Sequence, residues 1–524
     1  MPTDSAVTLI DLDFVWPDGT VALDAVGGTL TSGRTGLVGA NGSGKSTLLR
    51  LIAGELTPSR GSVIVTGDVA YLPQTLTLDV HLSIADVLGI GAKLAALAAI
   101  ESGVATEGDF DVIGDDWDVA DRAAQALSRI GLGTADLTRT VGQVSGGEAT
   151  LLAVAAARLE PAQVTLLDEP TNNLDRDARA RLFDVIAEWP GTLVVVSHDI
   201  ALLNRMDNTA ELHNHRLTTF GGPYDQWRAH LDSEQAAAAQ AVAAAEQTVR
   251  VHKRRRAAAE IKLARRNRKA QKDYDNLRAP KIVMNTWAAS AEVAAGKLRT
   301  ELEDKAAAAA DALQAAEARL RSDERIRVDL PDLEVPASRR IAELPGRRGP
   351  LVVMGPERIA VTGPNGIGKT RLLEALLAGS AGRLLTDRVG YLPQRIDGLD
   401  ERASVLDNVL AGASNADAAL VRTRLARFLL RGDAVYRPVA TLSGGERFRV
   451  ALARLLLAEP PPQLIVLDEP TNNLDLATVD QLVDALAAYR GALIVVSHDD
   501  EFLARLDLDR TLSMRRSGVL DEAG

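Results

Sequence analysis

Several absences restrict what this chain can be. None of its 524 residues is cysteine, which excludes disulfides, thiolate metal sites and cysteine nucleophiles and suits a reducing compartment. Aromatic residues make up only 3% of the sequence. No apolar run approaches the roughly 20 residues that a membrane-spanning helix needs, and the N-terminus is acidic where a secretory leader would be basic. We therefore expect a cytoplasmic protein without membrane spans.

Acidic residues outnumber basic residues in the chain as a whole, but basic residues are concentrated in one segment. The formal net charge of −12 argues against a general nucleic-acid coat. Residues 250–272 nevertheless hold eleven basic residues and one acid, so this segment carries +10 and the remaining chain −22. Such a segment predicts contact with nucleic-acid phosphates, and the alternative is a solvated charged helix.

The sequence contains one set of motifs twice. LLDEPTNNLD at 166–175 recurs at 466–475 as VLDEPTNNLD, with nine of ten letters kept. The other matched motifs are GANGSGKS and GPNGIGKT (39–46 and 363–370), YLPQ (71–74 and 391–394), SGGE (145–148 and 443–446) and VVSHD (195–199 and 495–499). Their order never changes, which predicts two complete nucleotide-binding domains. The first half is longer between YLPQ and SGGE, and this surplus predicts extra helix or loop.

Each half alternates short apolar runs with helical patterns. This alternation predicts an α/β fold with a largely parallel central sheet. Residues 34–38 and 358–361 predict the strands that precede the two phosphate loops, and helices should leave those loops.

The segment between the halves has a different composition. Residues 229–326 are rich in Ala, Gln, Glu, Lys and Arg and contain Pro280 between two stretches of strong helix formers. This pattern predicts a linker of two long helices folded back on each other, with its tip near 277–287. We thus predict two nucleotide-binding domains, 1–228 and 327–524, joined by the 229–326 helical hairpin.

The glycine-rich motifs predict phosphate binding. Glycines let successive backbone N–H groups converge on phosphate oxygens at a helix N-terminus, where the helix dipole also favours anions. The lysines should reach the β- and γ-phosphates, and the following Ser46 and Thr370 should offer hydroxyls to Mg²⁺. The predicted ATP-binding residues of these loops are Gly39, Asn41, Gly42, Ser43, Gly44, Lys45, Ser46 and Thr47, and Gly363, Asn365, Gly366, Ile367, Gly368, Lys369, Thr370 and Arg371.

Adjacent carboxylates follow two apolar strands. Asp168 and Asp468 end these strands and are predicted to hold Mg²⁺, directly or through water. Glu169 and Glu469 come next, beside the predicted metal ligand. That position suits a residue that orients the water attacking the γ-phosphate, so we predict both glutamates to be catalytic.

Glutamine and histidine recur at matched positions. Gln74 and Gln394 are predicted to contact metal, water and nucleotide from the side. His198 and His498 are predicted to bond the γ-phosphate as part of the catalytic set. A single histidine after an apolar strand is more often a satisfied cap, but recurrence at the same spacing favours the functional interpretation.

These residues, in this order, resemble the ABC ATPase superfamily over both halves. In that family SGGE is the signature motif, and two nucleotide domains close head to tail around ATP. The resemblance implies that Lys45 shares ATP with Ser443, Gly444 and Gly445, and that Lys369 shares ATP with Ser145, Gly146 and Gly147. It also implies that NNLD, ending in Asp175 and Asp475, crosses the interface.

The sequence departs from the family pattern in two places. Members usually stack adenine on an aromatic residue near the domain start, and Trp16 fits this role in the first half. No aromatic residue occurs from 328 to 353, so this segment offers no counterpart for base stacking at the second site. The first SGGE is followed by ATLLAVAA and lacks an arginine matching Arg449. We therefore expect the two sites to differ in rate.

The chain resembles the ABC-F family in three features. These are its tandem nucleotide domains, the EPTNNLD motif in both halves and a charged two-helix linker. The resemblance implies a ribosome-associated ATPase near the tRNA exit site of the large subunit, with its linker reaching peptidyl-tRNA and the peptidyl transferase centre. It also implies a monomer that closes its own two halves. The predicted linker contacts to ribosomal RNA are Lys253, Arg254, Arg255, Arg256, Arg265, Arg266, Arg268, Lys269 and Lys272.

Other functions remain open from the sequence. Within ABC-F, the lack of a long inserted arm in the first half favours antibiotic protection over a general translation factor. A DNA-structure-binding ATPase is a further alternative, but the relatives of that kind carry a C-terminal coiled coil, and we expect none after His498. The ATPase subunit of a separately encoded transporter is the third, and the long basic linker argues against it.

Overall fold

The computed structural model describes residues 5–75, 79–160, 162–172, 174–275, 281–321, 330, 333, 335–413, 416–472, 474–515 and 518–522. The chain forms two compact units. Met1–Tyr224 and Glu324–Gly524 together make the first unit, which contains both halves of the repeat. Asp225–Asp323 makes the second unit.

A six-stranded sheet forms the centre of each half. In spatial order the strands are Val69–Leu72, Val164–Asp168, Thr192–Val196, Arg34–Val38, Asn208–His213 and Arg216–Phe220 in the first half, and Val389–Leu392, Leu464–Asp468, Ala492–Val496, Arg358–Thr362, Arg510–Met514 and Leu520–Glu522 in the second. Five strands of each sheet are parallel, and the last is antiparallel. The predicted α/β fold is confirmed.

An antiparallel three-stranded sheet accompanies each central sheet. Its strands are Ser5–Val15, Val21–Thr31 and Arg60–Val65 in the first half, and Arg340–Leu344, Leu351–Met354 and Arg383–Leu384 in the second.

The central strands are apolar because both faces of the sheet are covered. Every residue of Val164–Asp168 and Leu464–Asp468 is buried. Runs of this kind, without polar alternation, are typical of parallel strands between helical layers. The charged residue of each strand is its last, so the aspartate lies at the carboxyl edge of the sheet, where open α/β sheets bind ligands.

Helices surround the sheets in both halves. Those of the first half are Lys45–Ile52, Ile84–Val87, Gly91–Glu101, Glu107–Ile113, Val119–Arg129, Gly146–Leu159, Arg176–Ala187 and Ile200–Leu203. Those of the second half are Lys369–Leu377, Val405–Leu410, Ala418–Leu425, Gly444–Leu456, Leu476–Ala488 and Asp500–Ala504. The longer stretch of the first half, for which helix or loop was predicted, contains helices. Both phosphate-loop strands and the helices after them also agree with prediction.

The second unit consists of long helices. Tyr224–Asp275 and Lys281–Glu317 lie on either side of residues 276–280, which are outside the described residues. Two hydrogen bonds join the outgoing and returning segments in antiparallel order. Arg256 Nη2 donates to Glu303 at 3.1 Å, and the Arg321 backbone N–H donates to Gln235 at 2.7 Å. The predicted tip, 277–287, lies partly outside the described residues. Within the described residues, no helix combines the length and apolarity needed to cross a membrane.

Candidate nucleotide sites

Each phosphate loop joins a buried strand to a helix that begins at its lysine. Gly44 and Gly368 precede these helices with φ of 96° and 100°, a conformation that side chains disfavour. The Lys45 ammonium donates to two carbonyls of its own loop at 2.7 and 3.0 Å, and Lys369 repeats this at 2.8 and 3.1 Å. Burial lowers the pKa of both lysines, while neighbouring carboxylates oppose the shift. Each loop thus presents a buried cation suited to a phosphate.

The strand-ending aspartates fit a metal ion. Asp168 and Asp468 are buried, and Oδ1 of each has no hydrogen-bond partner among the described residues. Burial raises the pKa of both carboxyls, whereas the hydroxyls of Ser46 and Thr370 lower it. An unpaired buried carboxylate oxygen is costly unless a ligand satisfies it. A carboxylate beside a hydroxyl matches the hard oxygen donors that Mg²⁺ prefers.

The glutamates after these aspartates adopt a left-handed backbone. Glu169 and Glu469 have φ of 50° and 46°, which is uncommon for residues other than glycine and is often found at functional sites. Their backbone N–H groups bond to Val196 and Val496 at 2.9 and 2.8 Å. Burial raises the pKa of Glu169 to about 8 and that of Glu469 to about 7. A carboxyl group that titrates near neutral pH suits proton transfer to and from water.

The two histidines have different partners. His198 Nε2 lies 3.1 Å from Glu169 Oε1. His498 Nε2 lies 2.7 Å from Lys369 Nζ and 3.4 Å from Glu469. Burial lowers the pKa of His198 to about 3 and that of His498 to about 4, so both rings are neutral at neutral pH. A neutral ring has one N–H donor and one acceptor nitrogen, so the tautomer of His498 decides which of the two faces the lysine.

A cavity of about 470 Å³ lies at the first phosphate loop. It brings Trp16, Gln74 and His198 together with Lys45. Gly444 also lines this cavity, so the signature motif of the second half reaches the first site. The remaining predicted site residues in its lining are Asn41, Gly42, Gly44, Ser46, Thr47, Asp168 and Glu169.

The second phosphate loop has a cavity of about 380 Å³. Its predicted site residues are Asn365, Gly366, Gly368, Lys369, Thr370, Arg371, Gln394, Asp468, Glu469 and His498. Leu174 and Arg179 reach it from the first half. Among the described residues in its lining, none comes from the first SGGE motif and none is aromatic. Ser145, Gly146 and Gly147 do not belong to the described lining of this cavity.

Backbone contacts join each phosphate loop to the opposite half. Asp475 Oδ2 accepts a 2.6 Å hydrogen bond from the Asn41 N–H, and Asp175 Oδ2 accepts one of 3.2 Å from the Asn365 N–H. Burial raises the pKa of each aspartate, but these and other hydrogen bonds prevail and hold it below its usual value. The NNLD motifs thus cross between the halves, as the resemblance implied.

Other predicted residues have local roles in this structure. The hydroxyls of Ser145 and Ser443 cap their own helices by accepting from Glu148 and Glu446 N–H groups. Gly445 is buried, and Ile367 packs against the core of the second half. Gly39 and Gly363 supply carbonyls to the loop lysines, and the Ser43 hydroxyl is buried without a partner in the described chain.

Tyr71, Tyr391 and Arg179 are among the residues of these sites that the sequence did not single out. The Tyr71 hydroxyl donates to Asp168 at 3.4 Å, and Tyr391 lies beside Asp468. Both belong to YLPQ, so the repeat itself held this signal. Arg179 of the first half reaches the second cavity, although the matched position in the second half holds valine. Position 179 holds arginine and its matched position 479 holds valine, and this difference was the signal that the sequence offered.

The predicted RNA-binding residues lie on the exposed surface of the first long helix. All eleven basic side chains of 250–272 are exposed. The partly covered positions of this stretch are His252, Ala259 and Leu263, at spacings that place them on one side of the helix. The cations therefore occupy the remaining, solvated surface.

Comparisons with known proteins agree with this geometry. The sequence model of the family described as ABC transporter matches residues 23–172 and 352–472, one match for each phosphate loop. The crystal structure of archaeal ribosome recycling factor aABCE1 in complex with ribosomal stalk protein aP1 has a similar fold. Its TM-score is 0.55 at 20% identity, and the match covers 98% of this chain and 89% of that one.

Two curated relatives cover nearly the whole chain. Tylosin resistance ATP-binding protein TlrC of Streptomyces fradiae is 31% identical over 93% of this chain and 94% of its own. ABC transporter F family member 5 of Arabidopsis thaliana is 27% identical over 99% of this chain and 76% of its own. The chain therefore belongs to the ABC transporter family, with two of its ATP-binding domains, and within it to the ABC-F group.

Proposed function

We propose that this protein is an ATP-gated ribosome-associated factor. It docks near the tRNA exit site of the large subunit, where its linker contacts ribosomal RNA and peptidyl-tRNA and modulates the peptidyl transferase centre. ATP binding closes the two halves and favours docking, and hydrolysis favours release. The protein acts in the cytoplasm as a monomer, and its action protects the ribosome from antibiotics.

The exposed cations of residues 250–272 are the observation that carries this proposal. Eleven cationic side chains on one helical segment of about 35 Å can neutralise several phosphates. The rest of the chain is strongly negative and would be repelled by RNA. The long helix is therefore the element best suited to dock on a polyanion.

ATP-binding domains of this family imply hydrolysis of ATP to ADP and phosphate. At the first site Ser46, Gln74 and Asp168 would hold Mg²⁺, and at the second Thr370, Gln394 and Asp468. When bound, Mg²⁺ neutralises charge on the phosphates.

The protein's own groups then act on the nucleotide and on water. The loop lysines bind the phosphates, and Glu169 and Glu469 orient the attacking water and take its proton. His198 and His498, neutral at physiological pH, can donate a hydrogen bond to the γ-phosphate. Trp16 stacks adenine at the first site only, because the second cavity has no aromatic residue in its described lining.

Protection of the ribosome from antibiotics is the more specific claim within this proposal. TlrC is named for tylosin resistance and aligns with this chain over nearly its full length. A general translation factor of the same group is the second candidate. Growth of a sensitive host with and without this gene, across several ribosome-targeting drugs, separates the two. A raised inhibitory concentration for at least one drug is expected, and no change for any drug would favour the translation factor.

Ribosome binding is tested by blocking hydrolysis while keeping ATP binding. Glu169→Gln combined with Glu469→Gln should trap the closed form, so the protein should cosediment with ribosomes in ATP. The control is Lys45→Ala combined with Lys369→Ala, which should not load nucleotide and should remain free. Free sedimentation of the double glutamine variant in ATP would contradict the proposal.

A further inference from the structure

Arg179 lies at the contact between the two halves. It is on the helix Arg176–Ala187, one turn after Asp175, and its side chain is 16% exposed. Its Nη1 donates to the backbone carbonyl of His498 at 3.3 Å and lies 3.4 Å from the Asp199 carboxylate. One guanidinium group therefore contacts the VVSHD motifs of both halves.

The Arg179 side chain also lines the second cavity. Arg179 lines this cavity with Lys369, Thr370 and His498. Its Nε is buried and has no hydrogen-bond partner among the described residues. An arginine in a protein keeps its charge, so a buried N–H without an acceptor is costly in the absence of a ligand. A planar fork of N–H donors fits phosphate oxygens well.

The first cavity lacks this arrangement. Val479 follows Asp475 at the spacing at which Arg179 follows Asp175. Its side chain is buried in the apolar core of the second half, and it is absent from the described lining of the first cavity. Within the described lining of the two cavities, the repeat therefore supplies a cation across the interface to the second cavity and not to the first.

We propose that Arg179 is a phosphate-binding residue of the second ATP site, supplied by the first half and without a counterpart at the first site. The described lining of the second cavity holds no residue of the first SGGE motif, and within that lining Arg179 is the basic residue that comes from the first half. The pair with Asp199 fixes the guanidinium and ties it to the VVSHD motif of the first site. This inference rests on the proposed binding of ATP at both cavities.

The test measures nucleotide affinity one site at a time in the full chain. Lys45→Ala leaves the second site to bind, and Lys369→Ala leaves the first. Each background is titrated with a fluorescent trinitrophenyl-ATP in Mg²⁺, with and without Arg179→Val. Loss of a charge-assisted bond should weaken the second site at least about tenfold. The change at the first site should be several times smaller.

Two further variants separate binding from folding. Arg179→Lys keeps the charge but not the planar fork of donors and should restore part of the affinity at the second site. If Arg179→Val does not fold, the nucleotide titration of Arg179→Lys tests the proposal in its place. Arg181→Val is the matched control on the same helix, because Arg181 contacts the Ile130 carbonyl in its own half. It should leave the affinity of the second site unchanged.

Some results would overturn the inference. Equal weakening of nucleotide affinity at both sites would indicate a structural role for Arg179. Unchanged affinity at the second site would show that Arg179 does not contact the nucleotide. Either result leaves the proposed function standing if the unsubstituted chain binds the probe. Absence of binding by the unsubstituted chain would overturn both proposals together.

Discussion

Asp475 and Asn41 form the shorter of the two matched hydrogen bonds that join an NNLD motif to the phosphate loop of the opposite half. The Asp475 carboxylate accepts from the Asn41 N–H at 2.6 Å, while the equivalent bond from Asn365 to Asp175 is 3.2 Å. Asp475 is also buried, and its other oxygen caps the following helix by accepting from Thr478 N–H at 2.8 Å. Of these two matched bonds between the halves, the one at the first phosphate loop is thus the shorter.

Asp475→Asn should weaken closure at the first site without removing the helix cap, because asparagine is also a good N-cap residue. Replacing a charge-assisted bond by a neutral one should lower nucleotide affinity about fivefold at the first site, measured in the Lys369→Ala background. Asp175→Asn is the matched control and should have less effect there. A larger effect of the control would contradict this assignment.

Trp16→Ala should weaken nucleotide binding at the first site. The indole is held edge-on against Phe14 at 5.0 Å between ring centroids and lines the cavity. Loss of stacking on a base should reduce affinity about tenfold. Trp117→Ala, an exposed tryptophan of the same half, is the control and should not change affinity. Equal effects of the two variants on affinity would show that Trp16 does not contact the nucleotide.

The two sites should hydrolyse ATP at different rates. The first cavity contains Trp16 and Gly444, whereas the described lining of the second contains neither an aromatic residue nor a signature residue. Glu469→Gln, which leaves the first site intact, should therefore retain more steady-state turnover than Glu169→Gln. We expect a difference of about threefold or more, which is roughly 0.7 kcal/mol in the barrier. Equal turnover of the two variants would contradict functional asymmetry.

The repeat made most of this site predictable from the sequence. A glycine-rich loop between an apolar strand and a helix, and an Asp-Glu pair at the end of a buried strand, have local signatures that depend on backbone geometry. The cross-half contacts lack such signatures. Neither the position of Arg179 at the second cavity nor the absence of Ser145 from the described lining of that cavity follows from spacing, because both depend on how the halves pack.

The linker illustrates the same limit in another way. Helix propensity on both sides of Pro280 predicted the helices Tyr224–Asp275 and Lys281–Glu317. Exposure of the basic side chains also follows, because charged residues are rarely buried without partners. The sequence cannot specify which of them meet phosphates, since that depends on the shape of a partner.

The central claim is that the cations of the long helix dock the ATP-closed protein on ribosomal RNA. The most direct measurement is cosedimentation of the Glu169→Gln, Glu469→Gln protein with ribosomes in ATP at increasing salt, with and without glutamine at Arg265, Arg266 and Arg268. Glutamine preserves helix propensity. The control replaces three exposed arginines of the second half, Arg348, Arg395 and Arg402, by glutamine.

We expect the linker variant to leave the ribosome at clearly lower salt and to show a shallower dependence of binding on salt concentration, because fewer counterions are released. The control should bind like the parent. Retention of the linker variant at the same salt concentration as the parent would contradict the account.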